Sequence, residues 1–268
     1  MTQNKMYDVI IIGASVEGVE LCSYLRAKAS DLKIAFISKN FDNVGKLDLT
    51  GVDLYRGEAV CSSYNHSLIG ITLRDRTSVF GLTAVIATGS KPAKSQFKGN
   101  NIYYKPIEIK EAMKTKQAVV YGNNEDAVKY ALDIAKKFKY IYLCSNTFDL
   151  TSSQKLLKKL DNTANILHLP SCNITGIKTD KAGNLNEITL DTYDTIRCAA
   201  LLLALGRAPD VSGLSKKMVD IDEEGYAVVK EYNELVKTPG IYAIGACVRK
   251  NTKQSIHTVG NKILEKRK

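Results

Sequence analysis

Residues 7–18 read YDVIIIGASVEG, and this stretch decides the fold. Its first half is dominated by β-branched apolar residues, as in a strand buried on both faces. A glycine turn runs from Gly13 to Gly18. Residues 19–28 then carry Val19, Leu21, Cys22 and Leu25 at helical spacing, and KIAFI at 33–37 is a second strand. Strand, glycine turn, helix and strand in so short a span make the βαβ unit of a doubly wound parallel α/β sheet.

The same grammar returns further along. AVVY at 118–121 is a strand and 122–126 a turn. Residues 127–138 are a helix with Val128, Ala131, Leu132 and Ala135 on one face, and 140–144 is another strand. Two copies of one unit predict two Rossmann-like dinucleotide-binding domains. Between them the chain reads as strands, the last at 79–87, with 91–105 as a linker. After the second copy come a helix at 152–160 and short strands at 166–169, 175–179 and 187–190. An apolar strand at 199–205 ends at Gly206. Strands at 227–230 and 240–244 and a helix from about 256 complete the chain.

Composition narrows the class. At 44% hydrophobic and 25% charged the chain is an ordinary soluble globular protein, with no apolar run long enough to span a bilayer. Its start is polar and enters a strand directly, without the layout of a signal peptide, so a cytoplasmic protein is expected. The six cysteines form no C-x-x-C, which argues against a local redox pair or a zinc knuckle; no metal site is expected. The net charge of +10 could draw an acidic carrier, a nucleotide or nucleic acid. The basic residues are scattered, however, and no nucleic-acid motif accompanies them, so no nucleic-acid partner is expected.

The two turns differ. A strong dinucleotide turn is G-x-G-x-x-G: the first glycine permits the bend, the second admits the pyrophosphate, the third lets helix pack on strand. The first copy, Gly13-Ala14-Ser15-Val16-Glu17-Gly18, has Ser15 in the middle. Glu17 there opposes a diphosphate unless it points to solvent. The second copy, Gly122-Asn123-Asn124-Glu125-Asp126-Ala127, keeps only the first glycine and a small last residue. Asn124 would crowd a pyrophosphate, while Glu125 and Asp126 suit an empty helix start. The first turn is therefore expected to bind a nucleotide and the second to be structural. At the second strand ends the copies offer Ser38 and Lys39, and Cys144, Ser145 and Asn146. Neither has the ribose-binding acid. The second lacks a basic cluster for a 2′-phosphate, so NAD(H) remains open and NADPH is not expected.

Four more segments carry a resemblance. Ala87-Thr88-Gly89-Ser90-Lys91-Pro92 and Gly206-Arg207-Ala208-Pro209-Asp210 each follow an apolar strand. Thr238-Pro239-Gly240-Ile241-Tyr242-Ala243-Ile244-Gly245 and Lys253-Gln254-Ser255 come in that order after them. Together they resemble the A-T-G, G-R-x-P-N, T-x-x-P-G-I-[FY]-A-x-G-D and R-Q-V segments of thioredoxin-reductase-like flavoproteins, in the pyridine nucleotide–disulfide oxidoreductase superfamily. The resemblance implies a discontinuous FAD domain, 1–105 with 223–268, and an NAD(P)-type domain at 106–222. It implies FAD contacts from Gly13, Ser15, Gly18, Ser38, Lys39, Val60, Thr88, Gly89, Gly245, Gln254 and Ser255.

The departures are equally specific. The interval 100–117, where the family carries its C-x-x-C, has no cysteine. The region after the second strand is cut to about 40–53, and the aspartate of G-D is Ala246. Losing one hydrogen bond to a charged group costs about 1.5–3 kcal/mol, which weakens FAD binding without requiring its loss. Cys247 reads as a small buried residue. His257 lies nearest the expected flavin, and a catalytic role for it stands against a helix-start or surface role. Two functions follow. One is an FAD-dependent oxidoreductase without an internal dithiol, serving a protein electron carrier or small redox substrate, and a homodimer by family analogy. The other is a degenerate, non-catalytic member acting as nucleotide sensor or protein-binding module.

Overall fold

The computed structural model describes residues 5–45, 50–65, 68–109, 111, 113–249 and 253–266. They form two compact units. The first holds the described residues up to Lys91 and from Ala208 onward, the second Pro92–Arg207.

In the first unit β1 (Met6–Ile12) runs into α1 (Val16–Lys28) and β2 (Ile34–Ser38). Leu21, Cys22 and Leu25 of α1 are buried. The edge strand β3 (Val52–Arg56) pairs parallel with β2. A meander of β4 (Ala59–Asn65), β5 (Leu68–Leu73) and β6 (Ser78–Ile86) follows. The start of β6 pairs antiparallel with β5, whereas the strand as a whole lies parallel to β1, giving the order β3-β2-β1-β6-β5-β4. Ile10 faces Ala35 on one side and Ala84 on the other. Alternation along β1 splits the core. Val9 and Ile11 pack with Leu21 and Leu25, while Ile10 and Ile12 pack with Ile69 and Ile71.

The chain leaves through β7 (Ser90–Pro92). The second unit is a five-stranded parallel sheet of β8 (Ile102–Tyr103), β9 (Met113–Tyr121), β10 (Phe138–Cys144), β11 (Ile166–Leu169) and β15 (Ala200–Leu203), in the order β11-β10-β9-β15-β8. Helix α2 (Glu125–Ile134) joins β9 to β10, and α3 (Gln154–Asp161) precedes β11. A meander of β12 (Ile174–Thr179), β13 (Leu185–Leu190) and β14 (Thr195–Arg197) precedes β15. The chain returns through β16 (Arg207–Pro209). Back in the first unit, β17 (Ile241–Ala243) pairs parallel with the end of β6, and α4 (Lys253–Glu265) packs against α1.

Several expectations change. The stretch read as a linker contains β8, whose Ile102 pairs with Leu201, so it belongs to the second sheet. Conversely Val211, Leu214, Met218 and Val219 pack in the core of the first unit, so the crossings fall at 91/92 and 207/208. The second helix stops at Ile134, because Phe138 is buried and opens β10 opposite Met113. At 227–230 there are only isolated bridges, Ala227 with Ile221 and Val229 with Leu235.

Candidate nucleotide sites

Both turns lie at the carboxyl ends of parallel strands, where open α/β sheets take their ligands. In the first, Gly13 has φ +100°, and an added Cβ would lie 2.4 Å from the Ala87 carbonyl oxygen. A Cβ on Gly18 would lie 2.4 Å from the Gly13 oxygen. Neither position admits a side chain. Ser15 caps α1, its hydroxyl oxygen accepting from the Gly18 N–H at 3.2 Å, which leaves its O–H able to donate. The Ala14 N–H donates to Ser38 Oγ at 3.3 Å. Gly89 has φ +70°, and a Cβ there would meet only the Ser15 Cβ, at 3.6 Å. The structure thus gathers Gly13, Ser15, Gly18, Ser38 and Gly89.

Two of the other expected contacts, Thr88 and Lys39, bond within the chain. Thr88 Oγ1 donates to the Asp210 carbonyl, and the Asp210 N–H donates to the Gly89 carbonyl at 2.9 Å. Lys39 pairs with Glu58 at 3.0 Å. The Val60 side chain is exposed on β4. Gln254 and Ser255 follow Lys253 in the first turn of α4, and their side chains lie outside the described residues. Glu17 is half-buried rather than turned to solvent. Its carboxylate lies 3.0 Å from where a Cβ of Gly245 would stand. Sequence flagged its charge but had no means of placing it. The turn fits a flavin dinucleotide in its backbone: two obligatory glycines, a helix start and a hydroxyl donor. It departs from that fit in the carboxylate beside Gly245.

The second turn is differently furnished. Gly122 keeps the tight bend, since a Cβ there would lie 2.3 Å from the Ala204 oxygen. Asn124 caps α2: its Oδ1 accepts from the Ala127 N–H at 3.0 Å, and its Nδ2 donates to the Ala204 carbonyl at 3.0 Å. Glu125 pairs with Lys129 at 2.6 Å. At the end of β10 the buried Ser145 hydroxyl donates to the Thr147 carbonyl at 2.8 Å. Its single proton is then spent, so His168 Nε2, 2.8 Å away, must donate to Ser145 Oγ. This pair therefore has no base–nucleophile arrangement, and burial holds the imidazole pKa down. A shallow depression beside α2 is lined by Tyr104, Lys105, Asp126, Tyr130 and Arg207, where the interval without cysteines lies.

The thiols are mostly inert. Cys247 is fully buried, its Sγ 3.1 Å from the Ile244 carbonyl, and burial pushes its pKa up to about 12. Cys144, Cys172 and Cys198, distant in sequence, share one buried cluster. The neighbouring Cys172 thiol and burial push Cys144 up. Only Cys61 is exposed. His257 stacks on Tyr24, ring centroids 4.7 Å apart, and His66 lies outside the described residues. Among the described residues no group of His, Cys, Asp and Glu could hold a metal, and no helix is long and apolar enough to cross a membrane.

Fold and turns define a protein built of two dinucleotide-type units, one inserted in the other. The family model described as pyridine nucleotide-disulphide oxidoreductase matches residues 47–261, and the chain belongs to that family. Its fold is that of thioredoxin reductases. The Lactococcus lactis enzyme superposes with a TM-score of 0.76 at 17% identity, covering 97% of each chain. The T. acidophilum enzyme gives 0.73 at 18% identity, covering 96% of this chain and 95% of that one. In sequence, thioredoxin reductase of Ureaplasma parvum is 24% identical over 286 residues, 93% of this chain and 91% of that one. An alkyl hydroperoxide reductase polypeptide of Pseudomonas putida is 23% identical over 233 residues. The match covers 82% of this chain but 44% of that protein, so this chain spans less than half of it.

Proposed function

We propose that this chain is an FAD-dependent oxidoreductase that passes electrons through its flavin without an internal dithiol. The observation that carries the reading is the first turn, whose Gly13 and Gly18 admit no side chain and whose Gly89 side opens toward Ser15. Bound there, FAD would supply the electron-transfer chemistry itself. The chain would hold its diphosphate on the start of α1, with the Ser15 O–H as a further donor. Backbone N–H groups at Gln254 and Ser255 would stabilise negative charge developing on the ring. The absence of any C-x-x-C supports a route that bypasses protein thiols. A protein electron carrier or a small redox substrate would complete the couple, in the cytoplasm and as a homodimer.

A second reading, a non-catalytic member acting as nucleotide sensor or protein-binding module, draws on Glu17. Its carboxylate lies beside Gly245 and belongs to the first turn of α1, the end of the helix that would hold a diphosphate. Removing the thiols separates the dithiol question. An FAD-loaded variant with all six cysteines replaced by alanine or serine should pass electrons from a chemical reductant to a quinone at the wild-type rate. Loss of transfer, with flavin still bound, would contradict the dithiol-free route.

A further inference from the structure

We infer that the second unit is closed to pyridine nucleotides by its own Asn124. If the proposed flavin reading holds, the flavin is then not reduced by a nicotinamide coenzyme held in this unit. A dinucleotide bound at such a turn needs the first N–H groups of the helix for its diphosphate and a hydroxyl acceptor at the next strand end for its ribose. At the place of the middle glycine, which lets the backbone of such a turn approach the pyrophosphate, stands Asn124. Its Oδ1 caps the Ala127 N–H at 3.0 Å, as Ser15 caps Gly18 at the first turn, so the second turn is set apart by the bulk of the amide and by its second tie. The same amide is held at its other end by the Ala204 carbonyl, also at 3.0 Å, so it cannot swing aside without losing both bonds. Its Nδ2 lies 3.8 Å from where a Cβ of Gly206, just past β15, would stand.

Charge and the ribose end agree. Glu125 and Asp126 place two carboxylates in the first turn of α2, where a diphosphate would meet them. Glu125 is further fixed by Lys129 at 2.6 Å and by the Ser153 N–H at 3.3 Å. The Ser145 hydroxyl, at the strand end where a ribose would be read, gives its proton to the Thr147 carbonyl and accepts from His168, so it has no proton to offer a ribose and is no substitute for the missing acid.

The test titrates full-length protein with NADH and NADPH and locates any binding by hydrogen-exchange protection. Peptides covering 122–128 report the second turn, and peptides covering 13–20 the first. The wild-type protein should show no saturable protection at 122–128 up to about 1 mM. Asn124→Gly, which removes the amide at little cost to the cap, should bind there at least about tenfold more tightly. Asn124→Ser, which keeps the cap as Ser15 does at the first turn but removes the amide and its tie to Ala204, serves if the glycine variant fails to fold, and should shift the same way. Saturable wild-type protection at 122–128 would overturn the inference. So would folded variants that gain no binding. Failure of the protein to take FAD would sink the flavin reading and leave this result, which is read at a different turn, standing.

Discussion

Lys91 Nζ stands 2.8 Å from Asp210 Oδ1, tying the strand that leaves the first unit to the turn that returns to it. Two backbone ties flank the pair, from Thr88 to the Asp210 carbonyl and from the Asp210 N–H to Gly89. Burial alone would raise the Asp210 pKa. Hydrogen bonds from Lys91 and Ser212 outweigh it and hold the carboxyl below its ordinary value. Because the folded value is depressed, the stabilisation is full above the unfolded value of about 3.8 and is lost as pH falls through the folded one. Asp210→Asn should cost about 1–2 kcal/mol at pH 7, allowing for the partly exposed lysine, and the difference from wild type should shrink as pH falls below 3.8 and through the depressed folded value. Urea denaturation across a pH series checks this.

Gly13 and Gly18 set a stricter condition. An added methyl would overlap a carbonyl oxygen at 2.4 Å in either case. Gly13→Ala and Gly18→Ala should each lose at least about 3 kcal/mol, through backbone displacement that reaches β1 and α1. The midpoint of urea denaturation reads the loss directly.

Glu17 makes an opposite prediction. Removing its charge while keeping its shape, as Glu17→Gln, relieves repulsion of a diphosphate at the start of α1 and forfeits a small helix-dipole term. FAD affinity should rise about tenfold, equal to about 1.4 kcal/mol, in an equilibrium titration followed by flavin fluorescence. Weaker binding would mean that the carboxylate holds the ligand rather than opposing it.

Thiol titration checks the cysteine environments. With Cys61 exposed and the other five buried, the native protein should react rapidly at one thiol and the unfolded protein at all six. Cys247, with its pKa near 12, should remain unmodified at pH 8 while the fold is intact.

The first βαβ unit was legible because buried parallel strands and a glycine turn are written in local sequence. The end of α1 agreed to the residue, although its start lies at Val16, set by the Ser15 cap. Contacts across the chain were not legible. Ile102 joins a sheet through Leu201, and Phe138 opens a strand through Met113. Neither tie has a signature within a dozen residues. At the sites, the glycines and the place of Asn124 in the second turn could be read from motif spacing. The Asn124 tie to Ala204, the approach of Glu17 to Gly245 and the Ser145–His168 pair depend on side-chain directions set by tertiary packing.

FAD binding at the first turn underlies the proposed activity, and an absorbance spectrum of the purified protein tests it without intermediaries. The protein would be mixed with excess FAD and freed of unbound cofactor before measurement. The flavin's blue and near-ultraviolet bands are expected at about one equivalent per chain, with Gly13→Ala losing them. A folded, colourless wild-type protein that retains no FAD would contradict the proposed activity.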